Sequence, residues 1–241
     1  MILRRVIEHV KAQHWTVVFL DFVIVVLGVF IGLQVQDWNA ARNARADARE
    51  YRERLITDMQ LSVSRNQAQI DYGRRQIDQL DLVLAALTSC HLDADKEGVF
   101  DAGLYNMGKF DLPTMVMGTI DELNATGDFP LIGDPALRRT ISETVRVYRT
   151  EFAIEPQLTG RIVPHVNYVR SRVRFILGQN SDYPPAIDPD KVFYDFDKLC
   201  SDEKFINAVA AVREMTLVTD GLNQEVLDRQ SKLLTELKRA P

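Results

Sequence analysis

Asp21 stands inside a long apolar run. In "HWTVVFLDFVIVVLGVFIGLQVQDWN", residues 14–39, only Thr16, Asp21 and Gln34 are polar between Trp15 and Val35. An ionised side chain at a bilayer centre costs about 2.5–3.5 kcal/mol on insertion scales, so such groups are usually hydrogen-bonded, ion-paired or functional. Gly28 and Gly32 follow Asp21 at spacings of seven and four, which puts all three on one face of a helix. A Gly-x-x-x-Gly pair lets two helices approach closely. Val25 breaks the row of small residues on that stripe, so the row stops at two. The face combines one carboxyl with two glycines, and what it offers is helix association within a membrane. A carboxyl protonated or hydrated near the interface is the simpler reading of Asp21. A proton relay has no second ionisable residue in the run to receive the proton.

The second candidate pair is Cys90 and Cys200, the only two cysteines. Both lie in polar, loop-like surroundings ("LTSCHLDAD", "FDKLCSDE") at the ends of predicted helices. A lone pair so placed reads as a disulfide, which requires an oxidising compartment such as a periplasm. Two unrelated reduced thiols are the alternative. Cys90, His91 and Cys200 could supply three metal ligands, but no Cys-x-x-Cys or His-x-x-x-His spacing accompanies them, and His9 and His14 are five apart. We expect no metal site and no cofactor. There is also no Gly-x-Ser-x-Gly elbow, phosphate loop or His-Glu-x-x-His, so no catalytic residue is assigned. His165, beside Pro164, reads as a core or surface histidine. Glu122, Asp128 and Asp134 surround a turn, where capping accounts for Glu122 and Asp134.

These residues need elements to hold them. From Trp15 to Val35 a helix rising roughly 1.5 Å per residue is about 30 Å long, the thickness of a bilayer's hydrocarbon core. Trp15 and Trp38 flank it where amphipathic rings favour the headgroup layer. A cleavable signal peptide needs a shorter apolar core and a small-x-small site, for which the following residues offer only an Ala-rich candidate. The organisation expected is an N-terminal tail (1–14), one transmembrane helix (15–35), a long juxtamembrane helix (36–89) and a helical bundle domain (90–241) that packs with 55–89. Net charge is −5 with basic and acidic residues mixed, which excludes a nucleic-acid surface.

Beyond the span, "NAARNARADAREYRERLITDMQ" is rich in good helix formers. Ile56, Val63, Ile70, Ile77 and Leu84 recur every seven residues; Met59, Leu80 and Leu87 form an interleaved row that Asn66 and Gly73 interrupt. A short helix is expected at "TIDELNATG", with Thr119 and Glu122 as a capping box and Gly127 closing it. Asp134 and Pro135 start the next helix. Another should run from about Glu155 to Leu177 with Pro164 inside it, and "GQNSDYPPAIDPD" is a loop. Ser201 should cap a final helix reaching nearly to Ala240, with Met215, Leu222, Val226, Leu233 and Leu237 as its apolar stripe. Strand-like alternation of useful length is absent. The fold class is all-α.

Asp21, the run "FVIVVLGVFIGLQV" and "QDWNAAR" (Gln36 to Arg42) together resemble a family of uncharacterised single-span bacterial membrane proteins. The family's signature is an acidic residue, an apolar span and "LQVxxWN". "ELNATGDFPLIGDPALRRTISE" is similar to a second segment of that family. The resemblance is close over the first 60 residues and extends to residues 119–150. It implies a membrane-anchored helical protein, with the large domain outside the cytoplasm, and carries over no catalytic residue or cofactor. This chain has Asp21 where the family commonly has glutamate.

Arg4, Arg5 and Lys11 precede the span while Arg42, Arg45, Arg49, Arg52 and Arg54 follow it, and a bare Lys/Arg count would keep the large domain in the cytoplasm. The cysteine pair and the short tail argue for the reverse. The expectation is a bacterial inner-membrane protein with a cytoplasmic N-terminus and a periplasmic domain. It would act as a non-enzymatic assembly or accessory subunit, touching membrane lipid and copies of itself or another membrane complex. The alternative is an extracytoplasmic ligand-sensing module relaying through a partner membrane protein; a tethered enzyme without a recognisable motif is a third reading.

Overall fold

The structure is a computed structural model and describes residues 15–109, 112–176 and 192–239, without the side chains of 15–18 and 21. The tail 1–14 with His9 and His14, the loop read at 178–190 and Ala240 lie outside the described residues. The chain is all-α. Its helices are α1 (Trp15–Ser89), α2 (Glu97–Asn106), α3 (Gly118–Thr126), α4 (Pro135–Ala153), α5 (Glu155–Arg172), α6 (Phe196–Ser201) and α7 (Glu203–Arg239), with short 3-10 turns at Ala94–Lys96 and Phe129–Leu131. Two compact units, Met1–Tyr51 and Arg52–Pro241, divide within α1.

In the second unit the core gathers Leu80, Val83 and Leu87 of α1 with Phe100 and Leu104 of α2, Ile162, Val166 and Val169 of α5, and Phe205, Val209 and Val212 of α7. At Gly103 α2 approaches α1 closely. A Cβ there would lie 2.8 Å from Val83 Cγ2 and 3.2 Å from the Gln79 carbonyl oxygen.

The buried rows of α1 differ from the apolar row that the sequence emphasises. Leu55, Met59, Ser62, Asn66, Ile70, Gln76, Leu80, Val83 and Leu87 are buried, whereas Ile56, Val63, Ile77 and Leu84 are only half-buried. The row that Asn66 and Gly73 interrupt is therefore the inward one. On α7 the expected stripe is inward over its second half, where Val226, Leu233 and Leu237 are buried, and differs only in the first half. Thr216, Thr219, Asn223 and Gln230 are buried, and Met215 and Leu222 flank them. Both helices give mid-length core positions to polar side chains, so counting apolar residues misplaces the inward face of α1 and of the first half of α7 by about one position.

Helix starts and stops follow the side chains around them. Asp134 caps α4 by accepting from the Ala136 N–H at 2.8 Å, with Pro135 at the first helical position. Gly127 ends α3 in the left-handed conformation, φ +80°.

The expected capping box at Thr119 and Glu122 does not form. The helix begins at Gly118, and Asp58 of α1 accepts from both the Thr119 N–H (3.3 Å) and the Thr119 hydroxyl (2.6 Å). Glu122 instead takes a two-pronged pair with Arg54. A carboxylate from a neighbouring helix serves as the cap, which no local spacing could reveal. Ser201 is likewise not the cap of the last helix. It ends α6, and Asp202 accepts from the Phe205 N–H at 3.0 Å.

α5 continues through Pro164 but stops at Arg172, five residues short of the expected end. Val173 is extended, and Arg174–Phe175 (β1) pairs antiparallel with Val192–Phe193 (β2), Arg174 opposite Phe193. Two-residue strands are too short to leave a periodicity, and the β-branched and aromatic residues there favour the extended form.

Candidate functional site

Three places carry the chemistry-bearing residues. The first is the apolar start of α1, the one helix among the described residues long and apolar enough to cross a membrane, near the N-terminus. None of that apolar window is buried, and Phe19, Phe22, Ile24, Leu27, Phe30, Ile31 and Leu33 are all exposed. Residue 21 belongs to the helix by its backbone, while the side chains of Asp21 and Trp15 lie outside the described residues. Among the described residues, a Cβ added at Gly28 or Gly32 would meet nothing within 4 Å. Trp38 is 64% exposed, with the Arg42 guanidinium 5.9 Å from its ring centre, one helical turn on.

The second place is the end of α1. Cys90 and Cys200 are joined in a disulfide with Cα atoms 5.4 Å apart, tying the end of α1 to α6. Cys90 has φ +48°, the only positive φ at a non-glycine among the described residues. The His91 N–H bonds back to the Ala86 carbonyl at 3.1 Å, the six-to-one bond that closes a helix through a left-handed residue. Asp197 lies close enough to group with the two sulfurs as ligand atoms within 4.8 Å of one another. Sulfurs bonded to each other cannot act as the thiolate ligands a metal needs. His91 turns away to Asp93 at 3.1 Å.

The third place is polar and was not singled out from sequence. Asn66 of α1 holds the extended segment before α3 as a neighbouring strand would. Its Oδ1 accepts from the Thr114 N–H at 2.8 Å, and its Nδ2 donates to the Thr114 carbonyl at 2.8 Å and to Gln230 Oε1 at 2.7 Å. Gln230 Nε2 donates to the same carbonyl at 2.8 Å. One turn earlier Ser62 Oγ accepts from the Val116 N–H at 2.9 Å. Both amide side chains are fully buried. The only sequence signal was the break at Asn66 in an apolar row.

Asp101 is a further buried carboxyl. It is 7% exposed, and its Oδ1 has no hydrogen-bond partner. Burial pushes its pKa up against the pull of the Tyr194 hydroxyl, and Glu97 pushes the same way. Burial likewise raises Tyr194, with the Asp101 charge adding to it. The unfolded aspartate titrates near 3.8 and the folded one above it. Between those values the folded state holds more protons, so stability falls as pH rises through that window. Asp101→Asn keeps an acceptor for Tyr194 and removes the charge. We expect it to raise stability near neutral pH by about 1 kcal/mol, with the gain vanishing in acid. Melting temperatures of parent and variant across pH check this; a gap independent of pH would contradict it.

His165 is half-buried on α5 beside Pro164. Glu122 and Asp134 serve Arg54 and the start of α4, as described above. No protein-family model, curated protein or solved structure matches this chain. The class that the observations define is an all-α protein with one membrane-capable N-terminal helix.

Proposed function

We propose that this protein is a non-enzymatic, membrane-anchored assembly or accessory subunit of the bacterial inner membrane. One observation carries the reading: among the described residues the apolar start of α1 has no buried side chain, although a core helix of that composition would be covered. Such a surface calls for lipid, a partner helix, or both. Asp21, Gly28 and Gly32 form the face by which the helix meets a copy of itself or another membrane protein. Trp15 and Trp38 mark the two interfaces. The Cys90–Cys200 bond supports an oxidising compartment for the second unit, hence a cytoplasmic N-terminus and a periplasmic domain.

The test is the mass and composition of the native complex extracted in mild detergent, with Asp21→Leu beside it. An interhelical hydrogen bond in a membrane is worth about 0.6–1.7 kcal/mol, so Asp21→Leu should weaken association roughly three- to twenty-fold. A second protein in fixed ratio makes this chain an accessory subunit; a clean monomer rejects the assembly reading. A ligand-sensing module is the alternative, favoured by a groove along α5.

A further inference from the structure

Trp38, Arg42, Arg45 and Arg49 follow one another at spacings of four, three and four, which puts them within an arc of about 60° on α1. Between Gln36 and Glu50 the acids are Asp37, Asp47 and Glu50, and each lies about 80° or more around the helix from the nearest of these arginines. The three arginines are exposed. No carboxylate among the described residues pairs with any of them, Glu53 four residues after Arg49 included. Arg42 stands over the Trp38 ring instead. A face of one charge, starting a turn past an exposed tryptophan that ends an apolar span, calls for an anion at the membrane surface.

Height above the membrane decides which anion. With Trp38 at the edge of the hydrocarbon, the Cα atoms of Arg42, Arg45 and Arg49 rise about 6, 10 and 16 Å beyond it. Helical side chains lean back over the preceding turn, about 5 Å toward the N-terminus, which here is the membrane end. The heads of Arg42 and Arg45 therefore come down to about 1 and 5 Å, inside a headgroup layer of about 5–7 Å, while Arg49 stays above it at about 11 Å. Arg42 and Arg45 are close enough along the helix to offer forked N–H donors to one phosphodiester. A zwitterionic lipid brings its own cation to that phosphate, so arginines without a counter-charge select a lipid with net negative charge. An acidic partner helix lying along the stripe would use all three arginines alike; a lipid surface uses the lower two.

We infer that Arg42 and Arg45, beside Trp38, hold the phosphodiester of an anionic phospholipid in the leaflet that α1 leaves at Trp38. The inference rests on the membrane-anchored part of the proposed function and is independent of assembly.

The experiment uses the full chain carrying Trp15→Phe, which leaves Trp38 as the single tryptophan, in phosphatidylcholine vesicles containing a small fraction of lipid brominated on its acyl chains. Bromine quenches a neighbouring indole, so Trp38 reports the lipid beside it. Brominated phosphatidylglycerol should quench at a concentration about fivefold to 25-fold below brominated phosphatidylcholine, since each arginine near an anionic surface contributes about fivefold. Arg42→Gln and Arg45→Gln should each remove about fivefold, Arg49→Gln less than about twofold, and salt at about 1 M most of the preference. Soluble inorganic phosphate at matched ionic strength should leave it unchanged. Equal quenching by the two lipids, in a protein that carbonate washing leaves in the vesicles, would overturn the inference alone. So would displacement by soluble phosphate, which assigns the arginines to a free anion, or equal losses at all three arginines, which assigns them to an anion lying along the helix. Quenching by neither lipid, with the protein washed off, would overturn the membrane reading as well. The parent's lipid preference decides even where an arginine variant does not fold.

Discussion

The double variant Cys90→Ser/Cys200→Ser should melt roughly 8–16 °C below the parent, the shift expected for a loss of about 4 kcal/mol in a unit of this size. The bond spans 110 residues. Cross-linking so long a loop removes much of the entropy of the unfolded chain, about 4.7 kcal/mol on the loop-closure estimate and somewhat less in practice. The variant also isolates a second effect. Residue 90 stays left-handed because the His91-to-Ala86 bond closes α1 with or without the sulfur. Cys90→Gly/Cys200→Ser should therefore be more stable than the double serine by about 1 kcal/mol, since glycine adopts that conformation without strain. Thermal unfolding of the three proteins, with and without reductant, measures both. Equal melting temperatures for parent and double serine would remove the disulfide from the account of stability. Thiol alkylation in whole cells adds the compartment: protection until reductant is added agrees with a periplasmic domain, and immediate labelling contradicts it.

Asn66→Ala is the other large effect. The substitution deletes three hydrogen bonds made at 2.7–2.8 Å and strands the Thr114 N–H in a site where Asn66 and Gln230 are fully buried. An unmet buried group costs about 1–3 kcal/mol, and the lost volume adds to it, so we expect a loss near 3 kcal/mol. Gln230→Ala should cost less, because Asn66 still bonds the Thr114 carbonyl. The pair should be non-additive by about 1 kcal/mol, since both amides serve that one oxygen. Chemical denaturation of the two single variants and the double variant checks the ordering. Additive costs would mean that the two amides act independently and would break the argument for a shared clamp on the segment before α3. The clamp also explains why a polar core position is kept at all. It orients residues 112–117, which have no regular structure of their own, so that Asp58 can receive the start of α3.

What could be read from sequence was what depends on neighbouring residues. Composition and spacing yield an all-α chain, an apolar N-terminal helix of membrane length, the start of α4 at Asp134-Pro135 and the left-handed stop at Gly127. Each is a local preference: a run of apolar residues, an oxygen two residues before an open N–H, a residue without a Cβ. The misreadings share one cause. Thr119 is capped by Asp58, 61 residues away, so its true partner is invisible at close range. Asn66 looked like a fault in an apolar row because Thr114 and Gln230 reach it only after the chain has returned. The inward face of α1 and of the first half of α7 is displaced for the same reason, while Val226, Leu233 and Leu237 are buried as their spacing implies; a buried polar residue is stable once its partner arrives and looks like surface until then.

The groove beside α5 has no sequence signature. Glu155, Thr159, Val163 and Arg170 recur at ordinary helical spacing, and what leaves a groove beside them is the placement of α1, α4 and the segment near Gly108 around them. Local chemistry is written along the chain. Which polar groups meet, and which surfaces stay open, depends on contacts between residues far apart in sequence.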